Sequence, residues 1–186
     1  VRRCVKGYGC DFIAKEKLKH IVSKEALNID GLGKKVIDQF WDLGLVKKPS
    51  HIFKLDYNKI SNLEGWGNLS ISNLEKSINN SRKINLDRFI YSLGIRHIGQ
   101  ENAKILSSFF ITIEQFKKLM DSNIRNETLN NLIELDGIGN TQIESKKSFF
   151  LNKMNVKITH DLIKELKINE YKIKTKDGIL SNKKIM

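Results

Sequence analysis

The chain has 186 residues, with 33 Lys and Arg against 21 Asp and Glu, which gives a formal net charge of +12. This length can form one good-sized domain with short attachments, and the positive charge favours an anionic partner. The single proline and the long amphipathic stretches predict an all-α fold. No apolar run reaches membrane-spanning length, so we expect no membrane partner. Two cysteines do not indicate a disulfide framework.

The first eleven residues are basic and contain glycine, and they hold Cys4 and Cys10 with five residues between them. Thiolates spaced in this way across a glycine-containing turn can supply half of a tetrahedral zinc site. Two ligands do not complete such a site. His20 is a nominal third ligand, and the simpler interpretation of His20 is a histidine on a helix surface.

Helical periodicity begins at Phe12 and continues to Val22, and Ser23 is the predicted N-cap of the short segment that follows. The same pattern predicts further helical segments along the chain. The shorter ones cover residues 34–43, a turn at 51–53 and residues 114–120 (capped by Thr112). Three longer units, each of two helices joined by a tight turn, span about 60–79 (ended by Asn80-Ser81), 86–110 and 128–153.

One short phrase occurs four times along these helices: an apolar residue, any residue, glycine, an apolar residue, glycine. The copies are Ile29-Asp30-Gly31-Leu32-Gly33, Leu63-Glu64-Gly65-Trp66-Gly67, Ile95-Arg96-His97-Ile98-Gly99 and Leu135-Asp136-Gly137-Ile138-Gly139. The second glycines are 34, 32 and 40 positions apart. Apolar residues follow each copy at offsets of four and seven, with Lys146 as an exception. Such a repeat indicates one supersecondary unit used several times, here a helix, a tight glycine hairpin and a helix.

A glycine hairpin that leads into a helix is suited to contact with phosphate. Glycine lets another group approach the backbone closely, and the first turn of a helix presents unpaired N–H groups with partial positive charge. Each copy can therefore bind backbone phosphate without reading a base. The alternative for any single copy is a glycine-capped turn inside an ordinary helical bundle. The candidate DNA-binding residues are Gly31, Gly33, Lys34, Gly65, Gly67, Asn68, Arg96, His97, Gly99, Gln100, Gly137, Gly139 and Asn140.

The third and fourth copies each differ from the others. His97 replaces the first glycine of the third copy, so it is predicted either to contact phosphate or sugar, supported by Arg96, or to be a surface turn residue. The fourth copy lies in residues 101–150, which hold seven acidic and six basic side chains. We therefore expect the fourth hairpin to be the one with a mainly structural role.

The pattern weakens after residue 155. Residues 156–167 are compatible with a strand or a short helix, residues 169–178 are typical of a solvated linker, and Gly178–Met186 reads as the start of a strand. Lys176-Asp177-Gly178 resembles the Lys-x-Asp-Gly signature of nucleotidyl transferases, but the spacing is wrong, so we assign no catalytic residue. We expect both ends to be cut from a longer protein.

These residues together resemble the bacterial NAD-dependent DNA ligase family. Arg3-Cys4 to Cys10 is similar to the second half of that family's four-cysteine zinc finger. Leu18–Ser23, the first glycine copy and Ile37-Asp38-Gln39 resemble the entry to its helix-hairpin-helix domain. The most specific match is Tyr91–Gly99, because the family's third hairpin also lacks the first glycine. Gly178–Met186 is similar to the first residues of its C-terminal BRCT domain.

The resemblance implies three parts: half of a zinc finger (residues 1–14), a helix-hairpin-helix domain with four motifs (15–155), and a linker with the start of a BRCT domain (156–186). It implies that the parent enzyme seals nicks in duplex DNA, with NAD and Mg bound outside this segment and zinc bound partly by Cys4 and Cys10. This segment is then expected to be a monomeric clamp on nicked duplex DNA, inactive alone, in the bacterial cytoplasm and on the nucleoid when bound.

Two other interpretations of the repeat stay open. A free-standing helix-hairpin-helix module of another repair or recombination protein has the same hairpins without the ligase context. A helical protein-interaction domain uses the glycine turns only as caps. A Cys-x-x-Cys pair upstream of Val1, preceded by an OB-like region, would favour the ligase over the free-standing module. Unchanged DNA affinity after replacement of Gly33, Gly67 and Gly99 with bulkier residues would favour the protein-interaction domain.

Overall fold

Short helices joined by tight turns form most of the chain in the computed structural model, which describes residues 7–133, 135 and 137–172. The first five α-helices are α1 (Asp11–Val22), α2 (Lys34–Asp42), α3 (Tyr57–Ser61), α4 (Asn68–Ser81) and α5 (Leu86–Ser92). The next five are α6 (Gln100–Phe110), α7 (Ile113–Lys117), α8 (Arg125–Ile133), α9 (Asn140–Leu151) and α10 (Lys153–Glu165). Two 3₁₀ helices (Gly7–Gly9 and Pro49–Lys54) and the strands β1 (Lys83–Asn85) and β2 (Lys167–Asn169) complete the described elements. The predicted all-α class is confirmed.

The four predicted hairpins are present, each leading into a helix. We name them hairpin 1 (residues 29–33), hairpin 2 (63–67), hairpin 3 (95–99) and hairpin 4 (135–139). Helices α2, α4, α6 and α9 begin directly after them. The side chains four and seven positions after each second glycine lie against the core because these offsets fall on one helix face. They are Ile37, Phe40, Ile71, Leu74, Ala103, Leu106, Ile143 and Lys146, of which only Ile71 is partly exposed.

The hairpins pack in two pairs, hairpin 1 with hairpin 2 and hairpin 3 with hairpin 4. In the first pair the Asp30 N–H donates a hydrogen bond of 2.7 Å to Ser77 Oγ on α4, and the Phe40 and Trp66 rings lie 5.5 Å apart. In the second pair Gly137 lies so close to α6 that a Cβ there would be 2.9 Å from Ile105 Cδ1. Hairpins 1 and 2 therefore lean on each other's second helix, and hairpin 4 leans on the second helix of hairpin 3.

Buried phenylalanines join the second pair to the helices around it. The Phe116 ring on α7 contacts three other phenylalanine rings, from α5, α6 and α9, in edge-to-face geometry. Such pairs add about 0.5–1.5 kcal/mol each beyond the burial of their area. The contacted rings are those of Phe89, Phe110 and Phe150, at centroid distances of 6.2, 5.4 and 5.8 Å.

Three arginines fix loops by donating hydrogen bonds to backbone carbonyl groups. Arg125 is buried and caps the segment after α7, and Arg82 also forms an ion pair with Glu165 at 3.2 Å. Because a guanidinium has five N–H donors, each of these side chains can hold two loop carbonyls at once. The carbonyls are those of Phe53 and Glu165 for Arg82, Ala26 and Lys24 for Arg88, and Leu119 and Met120 for Arg125.

Residues 156–171 pack onto the helical core. The 156–167 region, predicted as a strand or a short helix, contains most of α10 and the start of β2, and Ile158 and Leu162 are buried. Strand β2 pairs in parallel with β1, and both have the sequence Lys-Ile-Asn. The predicted domain boundary at residue 155 thus lies inside α10, and the division into three domains stays a prediction. Cys4, Lys176-Asp177 and Gly178–Met186 lie outside the described residues.

Two local expectations were wrong, and one was confirmed. Ser23 is not an N-cap; it follows the last residue of α1, and its carbonyl accepts hydrogen bonds from Ala26 and Asn28 N–H. Asn80 and Ser81 do not follow the helix as predicted but form its last two residues, and the Ser81 hydroxyl donates to the Ile78 carbonyl in that last turn. Thr112 caps α7 as predicted, accepting a hydrogen bond from Gln115 N–H.

Helix length also bears on the expectation about membranes. The longest described helix, α4, has 14 residues. Within the described part of the chain, no helix combines the length and apolar character that a membrane crossing requires.

Lys146 occupies a core position that carries Phe40, Leu74 and Leu106 in the other three copies. Its side chain is fully buried, and its ammonium makes no hydrogen bond within the described residues. Burial disfavours the charged form and lowers the pKa of Lys146 from 10.5 to about 8. An unpaired buried ammonium destabilises the fold near neutral pH.

We predict that Lys146→Met stabilises the chain at pH 7 by on the order of 3 kcal/mol, since one pKa unit corresponds to about 1.4 kcal/mol. The folded-state pKa is lowered, so between about pH 8 and 10.5 the unfolded chain binds the proton and the folded chain does not. Stability of the unsubstituted chain therefore rises with pH in this window, and the advantage of the variant shrinks. Urea unfolding at several pH values measures this, with exposed Lys147→Met as the control. If the difference in unfolding free energy between Lys146→Met and the unsubstituted chain did not change with pH, the lowered pKa of Lys146 would be contradicted.

Candidate nucleic-acid interface

The four hairpins share one backbone geometry. The third residue of each has a positive φ: +90° at Gly31, +85° at Gly65, +61° at His97 and +85° at Gly137. The apolar residue after it turns back into the protein, where Leu32, Ile98 and Ile138 are buried and Trp66 is half-buried. This reversal directs the next backbone segment outward, and it places the fifth residue at the start of the following helix.

The fifth residue of each hairpin is the N-cap of that helix. Gly33, Gly67, Gly99 and Gly139 all have extended backbone, with ψ within about 13° of 180°. Because glycine has no side chain to cap the helix, the N–H groups of the first turn lack the usual acceptor. These glycines are exposed, as are the first helical residues Lys34, Asn68, Gln100 and Asn140. Each hairpin thus presents outward-facing donors and the positive end of a helix dipole.

Neither packing nor backbone conformation requires glycine at three of these N-caps. An ideal Cβ on Gly33, Gly67 or Gly99 would meet no atom of the described structure within 4 Å. Their φ values of −63°, −90° and −82° are open to any residue. The open space beyond these positions therefore suits a group from outside the chain that approaches the backbone closely.

Hairpin 3 adds two polar side chains to this geometry. His97 holds the left-handed conformation that glycine holds elsewhere, and its carbonyl accepts a hydrogen bond of 3.1 Å from Asn102 Nδ2. Arg96 is exposed and makes no hydrogen bond or ion pair with the described residues, unlike Arg82, Arg88 and Arg125. The strain at His97 costs on the order of 1 kcal/mol, and such strain is concentrated at functional positions.

Hairpin 4 differs from the other three at its N-cap. The Gly139 N–H donates a hydrogen bond of 2.9 Å to Gln142 Oε1, and a Cβ on Gly139 would lie 3.1 Å from that oxygen. One donor of this hairpin is therefore already satisfied by the chain itself. This supports a mainly structural role for hairpin 4, as its acidic surroundings predict.

Two lysines near the hairpins were not among the sequence-predicted site residues. Lys35 is exposed in the first turn of α2, directly after Lys34, and its position in that turn was an available signal. Lys17 lies on α1, far from any glycine in sequence, and reaches hairpin 3 and α9 through the fold. No sequence pattern indicates that approach, because it depends on how α1 packs.

The predicted zinc ligands are only partly within the described residues. Cys10 is half-buried and is the N-cap of α1, and Cys4 lies outside the described range. His20 Nε2 lies 2.9 Å from the Tyr91 carbonyl oxygen, and it is ten residues along α1 from Cys10, about 15 Å at the rise of a helix. His20 is therefore not a zinc ligand together with Cys10. Among the described residues, no three His, Cys, Asp or Glu side chains form a metal-binding group.

Comparisons with known proteins support the assignment of the helix-hairpin-helix repeat. They also show that the chain matches one part of longer proteins. A family described as the helix-hairpin-helix motif matches residues 88–159. The chain is 53% identical to a DNA ligase of Pelagibacter ubique over 188 positions, which cover all of this chain and 27% of that protein. It is 40% identical to a DNA ligase of Wolbachia pipientis wMel over 99% of this chain and 28% of that protein. It is 38% identical to a DNA ligase of Rickettsia bellii over 97% of this chain and 27% of that protein. The chain therefore spans about a quarter of the length of the curated relatives that it matches.

The two glycines of hairpin 2 have different roles. Gly65 is needed for its backbone conformation, and Gly67 leaves open space. We predict that Gly65→Ala destabilises the chain by about 1 kcal/mol, because alanine is strained at a φ of +85°. Gly67→Ala should cost less, about 0.5 kcal/mol, since its φ is ordinary, no atom meets the new Cβ, and only the preference for glycine over alanine at an N-cap is lost. Urea unfolding of both variants measures this difference. Equal destabilisation by the two substitutions would contradict the geometry.

Proposed function

We propose that this chain, a segment of a bacterial DNA ligase by its sequence, is the part that holds duplex DNA through its sugar-phosphate backbone. Support comes from similarity to DNA ligases along the whole chain and from the helix-hairpin-helix match. The hairpins supply the chemistry, since each presents a helix start to solvent.

The observation that carries the proposal is the open space beyond Gly33, Gly67 and Gly99. These three N-caps are glycine although the described fold does not need glycine there. A phosphate oxygen that accepts hydrogen bonds from first-turn N–H groups has to come within about 3 Å of them, and a side chain on the N-cap would obstruct that approach. Lys34 and Lys35 in the first turn of α2 and Arg96 in hairpin 3 add positive charge beside the same groups.

Recognition by this surface is independent of base sequence. Main-chain N–H groups, lysines and an arginine bind phosphate oxygens, which every nucleotide carries, so they fix the position of a duplex without reading it. Hairpins 1, 2 and 3 together can contact both strands. A surface of this kind is suited to a nick, which occurs in any sequence.

The remaining steps of nick sealing belong to the parent enzyme in this proposal. NAD supplies the adenylate and Mg assists its transfer in parts of the protein outside this chain, so the chain alone is inactive. Cys4 and Cys10 would supply half of a zinc site at the junction with the preceding domain. The chain works as a monomer on nicked duplex DNA in the bacterial cytoplasm, associated with the nucleoid when bound.

The test is a triple variant that fills the open space, Gly33→Val, Gly67→Val and Gly99→Val. We predict at least a tenfold loss of affinity for a nicked duplex, because the new side chains keep phosphates away from three helix starts. The unsubstituted chain should bind on the order of micromolar, equally to unrelated sequences, and should weaken steeply as salt rises. Fluorescence anisotropy across a salt titration measures both properties.

The matched control is Asn130→Val, which places the same side chain on the exposed face of α8. Circular dichroism melts confirm that each variant is folded. Unchanged DNA affinity in the folded triple variant would show that the glycine turns act only as caps, and it would overturn the proposal.

A further inference from the structure

A large groove separates hairpin 3 from the helix that follows hairpin 4. Its volume is about 920 Å³, and α1 forms its third side. We name it the basic groove. It is lined by Lys17 from α1, Arg96 and His97 from hairpin 3, and Asn140, Ser145 and Ser148 from α9.

The lysine of the basic groove is held in place without a carboxylate. Lys17 Nζ lies 4.9 Å from the centroid of the Tyr8 ring and 5.4 Å from that of the Phe149 ring. No ion pair or hydrogen bond links Lys17 to another described residue, whereas Lys15 and Lys19 on the same helix pair with aspartates. Burial lowers the pKa of Lys17, since its ammonium is partly desolvated. Two aromatic rings thus fix a cation that the described chain does not neutralise.

Other polar groups of the basic groove are also available to a ligand. Arg96 has no partner within the described residues, and Ser148 is exposed on the same side of α9. One acidic side chain, Glu144, also lines the groove. Lysine, arginine, hydroxyl and amide groups together are the usual contacts of a phosphate backbone.

The corresponding groove between hairpins 1 and 2 has different chemistry. It is about 450 Å³ in volume, and its lining includes Asp30, Val36, Trp66 and Leu74. No lysine or arginine lines it. The two hairpin pairs have related packing, so the cationic lining belongs to the second pair alone.

We propose that the basic groove binds a stretch of one DNA strand, with a backbone phosphate between Lys17 and Arg96. This inference rests on the proposed function and extends the DNA contact from the hairpin tips to α1. Charge complementarity supports a phosphate strand as the occupant, and so does the continuity of the groove with hairpin 3, which contributes Arg96 and His97 to both surfaces. Lys17 is in this view a DNA-binding residue.

The experiment compares charge changes inside and outside the groove in the full chain. Lys17→Met keeps an apolar side chain against Tyr8 and Phe149 and removes the charge, and Lys147→Met removes a charge from an exposed position of α9 that does not line the groove. Binding to a fluorescein-labelled nicked duplex is measured by anisotropy across a salt titration. We expect Lys17→Met to weaken binding roughly tenfold and to reduce the salt slope by about 0.9, the value for one phosphate contact.

Two further variants make the test independent of how well Lys17→Met folds. Glu144→Gln removes the negative charge from the groove and should strengthen binding, and Ser148→Asp adds one at an exposed position and should weaken it. Opposite changes of affinity in these two variants support the proposal.

The failure of this inference can be told apart from the failure of the proposed function. If Lys17→Met, Glu144→Gln and Ser148→Asp all bind as Lys147→Met does, while the triple glycine variant binds weakly, the groove takes no DNA strand and this inference is overturned. A protein segment as the occupant of the groove would give that result. If the triple glycine variant also binds normally, the proposed function has failed as well.

Discussion

The structure depends on a single backbone reversal that occurs four times. One residue with a left-handed conformation turns the chain so that the next side chain is buried and the following residue starts a helix. The buried side chain anchors the turn, and the outward backbone leaves the first N–H groups of the helix in solvent. The buried residue thus stabilises the turn, and the neighbouring residue presents the helix N–H groups to a ligand. Glycine is needed for conformation at Gly31, Gly65 and Gly137, and at Gly33, Gly67 and Gly99 it leaves space.

Pairing of the hairpins makes this local geometry into a rigid surface. An isolated helix of nine to fourteen residues is marginal in water, so α2, α4, α6 and α9 rely on burial of their inward faces. Hairpin 1 rests on α4 at the Asp30–Ser77 hydrogen bond, and hairpin 4 rests on α6 at the Gly137–Ile105 contact. Arginine side chains fix the loops between the units. Arg96 has no such role in the described chain, which leaves it available to a partner.

The sequence was sufficient to predict features that depend on local spacing. Helical periodicity placed most helices within a few residues, and the glycine phrase located the hairpins. Features that depend on contacts between distant residues were not predictable in this way. The approach of Lys17 to hairpin 3 and the parallel pairing of β1 with β2 both require the tertiary fold. Ser23 failed as a predicted N-cap because a short polar side chain is equally compatible with a turn after a helix. Lys146 interrupted the apolar pattern, but its complete burial was visible only in the structure.

The most direct test of the account is to observe the main-chain N–H groups of the hairpins while DNA binds. Titration of the ¹⁵N-labelled chain with a nicked duplex, followed by ¹H–¹⁵N NMR spectra, reports on each amide separately. We expect the largest shifts at residues 33–36, 67–70 and 99–102, smaller shifts at 139–142, and the same pattern with unrelated DNA sequences. Binding that shifts the amides of another surface and leaves these helix starts unchanged would contradict it.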